Sequence, residues 1–233
     1  MLTLFATSVV GTTIQADGFR YTLIKEQSEC NSNDLWLGKR SLKSCAEECA
    51  RRRDCRFFIH GKEGTKLDDY QITLVTTLGE ITVQLDADNA PITVDNFMAY
   101  ANSGYFDGDD GLGATTFHRV INNFMIQGGG FTPDGVQKDT LPPIVNEGDN
   151  GLSNLRGTIA MARTSDPNSA TSQFYINQVD NAYLDYSGAS SPGYAVFGAV
   201  TEGLSVVDEI AAVATDANDA PLNEAIVIED LIT

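Results

Sequence analysis

Residues 117–131 read FHRVINNFMIQGGGF, a stretch that sets an Arg, a Met and a Gln among three Phe and closes on three glycines. Two short apolar runs, 115–121 and 124–127, have the length of strands, and Asn122-Asn123 marks a turn between them. Strict alternation places Phe117 and Arg119 on one face of the first run and His118 and Val120 on the other. A guanidinium between Phe and Val on a strand is unusual, because Arg is seldom buried without a partner. The plain reading is that Arg119 reaches solvent or meets an acid across the sheet. The other is that it serves a site.

Outward from this stretch the strand pattern continues. Residues 71–77 alternate, Leu78-Gly79 turn, and Ile81, Val83 and Leu85 alternate again. Pro91 and Thr93 open a helix with Val94, Phe97, Met98 and Ala101 at helical spacing and Gly104 at its end. After a Gly/Asp loop (107–113) and a long loop (132–155) come further strand-like runs at 157–163, 172–177, 195–200 and 225–230. Residues 204–213 form a second helix, with Leu204, Val207, Ile210 and Ala211 inward. About eight strands and two helices without regular strand–helix alternation predict a mainly β fold: an eight-stranded antiparallel closed β-barrel capped by two helices. Such a barrel is filled by side chains, so a ligand site falls on its outer wall.

Composition divides the 233 residues unevenly. The net charge is −17, of which residues 70–233 carry −18 and residues 1–69 carry +1. An acidic second part argues against nucleic acid and anionic membranes as partners. With only four basic residues in that part, Arg119 and Arg163 stand out. No run of 18 apolar residues occurs, so no transmembrane helix is expected.

All four cysteines, Cys30, Cys45, Cys49 and Cys55, lie in the first quarter. Ser41 caps a helix from Leu42, on which Cys45 and Cys49 share a face; the run after Cys55 has strand character. Two disulfides of undetermined pairing are the first reading, and a zinc site or free thiols are the alternatives. The Cys spacing is poor for zinc, and no metal is expected. The predicted divisions are a signal or disordered start (1–19), a small Cys-rich α+β module (20–66) and the barrel (70–233). Residues 1–16 are apolar but lack a basic n-region. The expected location is the secretory pathway, lumenal or extracellular, with the cytoplasm as the alternative.

Much enzyme chemistry is missing from the second part. It has one His, no Cys, no G-x-S-x-G, no H-E-x-x-H and no P-loop. The glycines at 128–130 have no Lys and no helix behind them, so they read as a tight turn. The 107–113 loop lacks the ligand order of a calcium loop.

Taken together, TLGEITVQL, FHRV, FMIQGG, GTIAMART, SQFYIN and YAVFG stand in an order that resembles the cyclophilin-type peptidyl-prolyl isomerases, bacterial branch, across residues 70–233. Residues 41–62, SLKSCAEECARRRDCRFFIHGK, resemble the heart of PAN/apple modules, shortened by loss of a closing Cys. The first resemblance implies an enzyme without cofactor that turns Xaa-Pro bonds in proline-containing polypeptides, acting as a monomer. It implies Arg119 as the catalytic guanidinium, with Gln127 and Phe124 beside it. It implies Met125, Tyr175, Leu184, Tyr183 and Tyr194 around a proline pocket, and Ala162, Arg163 and Gln173 along the groove. Tyr175, Tyr183, Tyr194, Arg163 and Gly130 depart from the common Phe, Trp, His, Asn and Asp, which implies weak cyclosporin affinity. The second resemblance implies a protein or glycan ligand for residues 20–66. A docking module with weak or no catalysis is the alternative reading.

The chemistry asked for is modest in kind. Loss of amide resonance sets a barrier of about 18–20 kcal/mol. A 10⁵-fold acceleration needs roughly 7 kcal/mol of it removed. A cationic donor aimed at the prolyl nitrogen, which regains a lone pair as the bond twists, is worth more in the transition state than in the ground state.

Overall fold

The computed structural model describes residues 12–16, 19–23 and 59–60 by their backbone, and residues 70–222 and 224–233 in full. The chain divides into two units, 1–66 and 67–233. In the first, β1 (Thr12–Ala16), β2 (Phe19–Leu23) and β3 (Ile59–His60) form an antiparallel sheet in that order. The helix from Leu42 and the four cysteines lie outside the described residues; of the run after Cys55 only its end, Ile59, is described, as the first residue of β3.

The second unit is an eight-stranded curled sheet with two helices. Its strands are β4 (Gln71–Thr76), β5 (Gly79–Leu85), β6 (Arg119–Ile121), β7 (Met125–Gly128), β8 (Thr158–Met161), β9 (Phe174–Asn177), β10 (Val196–Glu202) and β11 (Ile228–Ile232). They run in the order β11-β4-β5-β10-β8-β9-β7-β6. The expected closed barrel is seen as a curled sheet whose end strands do not pair with each other. Where the two come together, the Phe117 N–H donates to the Ile226 carbonyl and the Ile228 N–H to the Thr115 carbonyl, each at 2.9 Å. The last strand begins three residues later than its apolar run suggested, because residues 226 and 227 are spent on this seam.

Alternation in β4 and β5 buries Ile72, Leu74, Ile81, Val83 and Leu85 on the inner face. Helix α1 (Pro91–Asn102) turns Val94, Phe97, Tyr100 and Ala101 into the same core. Its first turn has no cap of its own. The Glu147 carboxylate accepts the N–H groups of Ile92 (3.1 Å) and Thr93 (2.8 Å) instead. Helix α2 (Leu204–Ala211) buries Val207, Ile210 and Ala211. Between sheet and helices the interior is aromatic. Phe97 stacks on Phe106 at 5.0 Å and meets Phe174 edge-on at 5.5 Å, and Phe117 meets Phe174 at 5.9 Å.

One expectation fails in the stretch that decided the fold. Phe117 and Val120 are both buried in the main core, so Phe117 does not share a face with Arg119. The 115–121 run is not one strand. Thr116 bridges Val227, and regular pairing resumes only at Arg119. The break between them resets the alternation.

Candidate functional site

The site follows from register. Directly opposed residues across the sheet are Arg119 and Gln127, Gln127 and Tyr175, Tyr175 and Ala160, and Ala160 and Val196. They form one transverse row on the outer face. The neighbouring row, Val120, Ile126, Ile176 and Ile159, belongs to the main core. Period-two alternation thus sends one row into the core and the next to the outer wall.

Along that row the structure brings together most of the expected residues. Met125, Ala160, Tyr175 and Val196 make a second buried apolar cluster, and Ile121, Phe124, Leu152, Ala162, Leu184 and Tyr194 pack against it. Tyr183 is 70% exposed and stacks on Phe124 with centroids 6.0 Å apart. Tyr194 meets Tyr175 edge-on at 6.0 Å and carries the Arg163 guanidinium 4.2 Å above its ring. Arg163 also donates to the Gly193 carbonyl through Nε (3.2 Å) and Nη2 (2.8 Å), and to the Thr164 carbonyl through Nη1 (2.9 Å).

At the β6 end the contacts are polar. Arg119 donates through Nη1 to Gln127 Oε1 at 3.5 Å, and Gln127 Nε2 donates to Gln173 Oε1 at 2.9 Å. Arg119 can only donate, which fixes Gln127 with its oxygen toward Arg119 and its nitrogen toward Gln173. Arg119 Nε meets the Asp219 carboxylate at 3.3 Å. Both partners are about two-fifths exposed, 42% and 40% on their side chains. Among the described residues no acceptor meets Arg119 Nη2.

The glycines of residues 128–130 serve packing. Gly129 has φ +80°, and a Cβ there would lie 2.9 Å from the Phe174 ring. A Cβ on Gly130 would sit 2.6 Å from Gln173 Cγ, so this glycine makes the room in which Gln173 reaches Gln127.

Behind the apolar cluster lies a polar node that the sequence did not announce. Asn154 is fully buried. Its Oδ1 accepts the Tyr175 hydroxyl at 2.6 Å and Asn177 Nδ2 at 3.2 Å. Its backbone N–H and Nδ2 both donate to Asp185 Oδ1, at 2.7 and 2.9 Å. Asn181 donates its N–H to the Asn154 carbonyl (2.7 Å) and its Nδ2 to the Phe124 carbonyl (3.0 Å). The 3₁₀ turn Ala182–Leu184, which carries Tyr183 and Leu184, is held between Asn181 and Asp185. Burial pushes the Tyr175 hydroxyl well above the ordinary phenol value, so it stays a donor. His118 sits against Phe131, ring centroids 4.7 Å apart, and its Nδ1 is buried without a hydrogen-bond partner. Burial holds its pKa below 6.5, against the opposing pull of the Thr116 backbone and the Gln173 side chain.

Among the described residues no group of three or more His, Cys, Asp or Glu side chains is placed to hold a metal ion. Nor is any helix there long and apolar enough to cross a membrane.

Known proteins resemble this chain across its second unit. Residues 70–232 match the family model for cyclophilin type peptidyl-prolyl cis-trans isomerases. Over 162 residues the chain is 52% identical to peptidyl-prolyl cis-trans isomerase cyp18 of Streptomyces antibioticus, covering 67% of this chain and 94% of that one. Peptidyl-prolyl cis-trans isomerase B of Escherichia coli K12 is 49% identical over 162 residues, with 67% and 95% covered. The crystal structure of a Cryptosporidium parvum cyclophilin type isomerase, determined in the presence of the dipeptide Ala-Pro, matches with TM-score 0.57 and 26% identity. That match covers 70% of this chain and 97% of the other.

Proposed function

The chain belongs to the cyclophilin-type peptidyl-prolyl cis-trans isomerases, and on that premise we propose how its outer wall turns an Xaa-Pro bond. The proline ring seats against the apolar cluster of Phe124, Met125, Tyr175 and Leu184, which strips it of water. Tyr183 and Tyr194 extend that wall. Ala162, Arg163 and Gln173 flank the residues before the proline.

In the planar ground state the prolyl nitrogen shares its lone pair with the carbonyl and accepts nothing. As the bond twists, the lone pair returns. The Arg119 Nη2 edge then donates to it, an interaction absent from the ground state. Gln127 holds the guanidinium through Nη1 while Gln173 holds Gln127. No proton is transferred and no covalent intermediate forms. The carrying observation is the register that sets Arg119, Gln127 and Tyr175 side by side on one face.

The test is an exchange assay on an Xaa-Pro peptide. Arg119→Ala is expected to lower kcat/KM by at least a hundredfold, or about 2.7 kcal/mol, with its melting temperature unchanged. Activity retained within threefold in a folded variant would remove Arg119 from this role.

For residues 20–66 we infer a shortened PAN/apple-like module with disulfides among Cys30, Cys45, Cys49 and Cys55, a protein or glycan ligand, a monomeric chain and a secretory location. The support is the Cys-rich pattern of the first quarter. Four free thiols in protein from its native source, by non-reducing mass spectrometry, would sink it.

A further inference from the structure

The turn after α2 reads DANDAP from Asp216 to Pro221 and carries the Asp219 that meets Arg119. It is tightly built. Asp216 Oδ1 accepts the N–H groups of Asn218 (2.7 Å) and Ala220 (3.0 Å), and the Asp216 N–H donates to the Ala220 carbonyl (2.8 Å). Thr215 and Pro221 pair across its base. Asp219 lies at φ +66°, a left-handed conformation that Asp and Asn enter more readily than most side chains.

This turn is fastened to β6, the end strand of the sheet. The Asp219 carbonyl accepts the Val120 N–H at 2.8 Å, and its carboxylate accepts Arg119 Nε at 3.3 Å. Backbone and side chain of one residue therefore hold two successive residues of the strand that carries the guanidinium.

We propose that Asp219 is a positioning residue for Arg119, which rests on the reading of Arg119 as the catalytic donor. Asp219 takes the Nε edge and Gln127 takes Nη1, from two directions. The Nη2 edge is left to meet the prolyl nitrogen. Arg has a long side chain with many rotamers, and at 42% exposure little packing restrains it. Two fixed acceptors select one orientation before substrate arrives, which is pre-organisation of the donor. The role is geometric rather than ionic, because a pair this exposed is screened.

The deciding pair is Asp219→Asn and Asp219→Gly, both tolerant of a left-handed backbone. Asn keeps an acceptor oxygen and loses the charge; Gly loses both. Asp219→Gly is expected to lower kcat five- to tenfold with KM changed less than twofold. Asp219→Asn is expected to stay within twofold of the parent. The double variant Arg119→Ala/Asp219→Gly is expected to match Arg119→Ala alone, since Asp219 acts through Arg119. An unchanged kcat in Asp219→Gly overturns the proposal. So does an equal loss in Asp219→Asn, or a further loss in the double variant. If Arg119→Ala itself keeps its activity, the reading of Arg119 fails, whatever Asp219 does. If only that variant is impaired, this inference alone fails.

Discussion

At the β6 end of the site, Arg119 and Asp219 stand about two-fifths exposed, and the guanidinium's contacts are 3.3 and 3.5 Å long. At the β9 end, Asn154 and Tyr175 are buried and joined at 2.6 Å, and Asn154 holds Asp185 at 2.7 and 2.9 Å. The two ends are a few strands apart on one face, yet they meet different requirements. On the proposed reading the first presents a charge to a substrate that comes and goes, so it stays wet and is held by two acceptors rather than by packing. The second must keep apolar walls aligned, so its polar groups are dry and satisfied, where an unmet partner costs most. Substitutions at the first end should therefore move kcat and spare stability, and those at the second should do the reverse.

Beyond Arg119→Ala, the largest expected effect is on stability. Asn154→Ala leaves the Tyr175 hydroxyl without its acceptor in a fully buried place and costs Asn177 Nδ2 one of two, the other being Thr158 Oγ1 at 2.9 Å. A cost of about 2–4 kcal/mol follows, which for a domain of this size lowers the melting temperature by roughly 5–12 °C. Assayed well below melting, kcat/KM is expected to fall less than tenfold. A hundredfold loss without a thermal shift would erase the distinction between the two ends. Tyr175→Phe is a milder version. It removes one 2.6 Å bond but leaves Asn154 Oδ1 with Asn177, so about 1 kcal/mol is expected. Activity should stay within threefold, because the hydroxyl points to Asn154 and, on the proposed reading, the ring face is what meets proline. A tenfold rise in KM would show that the hydroxyl reaches the ligand.

Much of the fold was legible. Alternation in residues 71–85 placed Ile72, Leu74, Ile81, Val83 and Leu85 inward, and helical spacing placed Val94, Phe97 and Ala101. Alternation misled at Phe117, because a chain can leave its strand for two residues and return in the opposite phase, and composition carries no mark of that. The apolar residues that cluster at the candidate site could be named from local motifs that share strands. Its polar supports could not. Asp219 is 100 residues from Arg119, and Asp185 is 31 from Asn154. In sequence each is only an acid near a turn. Gln173 and Gly130 show the same limit: the clash that requires a glycine there involves a side chain 43 positions away.

The smallest expected effect concerns His118, which lies where the polar chain from Arg119 through Gln127 and Gln173 meets the dry interior. Burial holds its folded pKa below the ordinary 6.5. As pH falls from 7.5, the unfolded chain takes up its proton near 6.5, while the folded chain resists until lower pH. The unfolded state then binds more protons, so folding stability drops over that interval and levels off below the folded pKa. His118→Gln removes this one component. Measured by denaturant unfolding at pH 7.5 and pH 5, the parent should lose more stability than the variant over the same interval. Parallel losses would mean that the ring is as well solvated in the fold as out of it. His118 would then belong with the wet end of the site rather than the dry one.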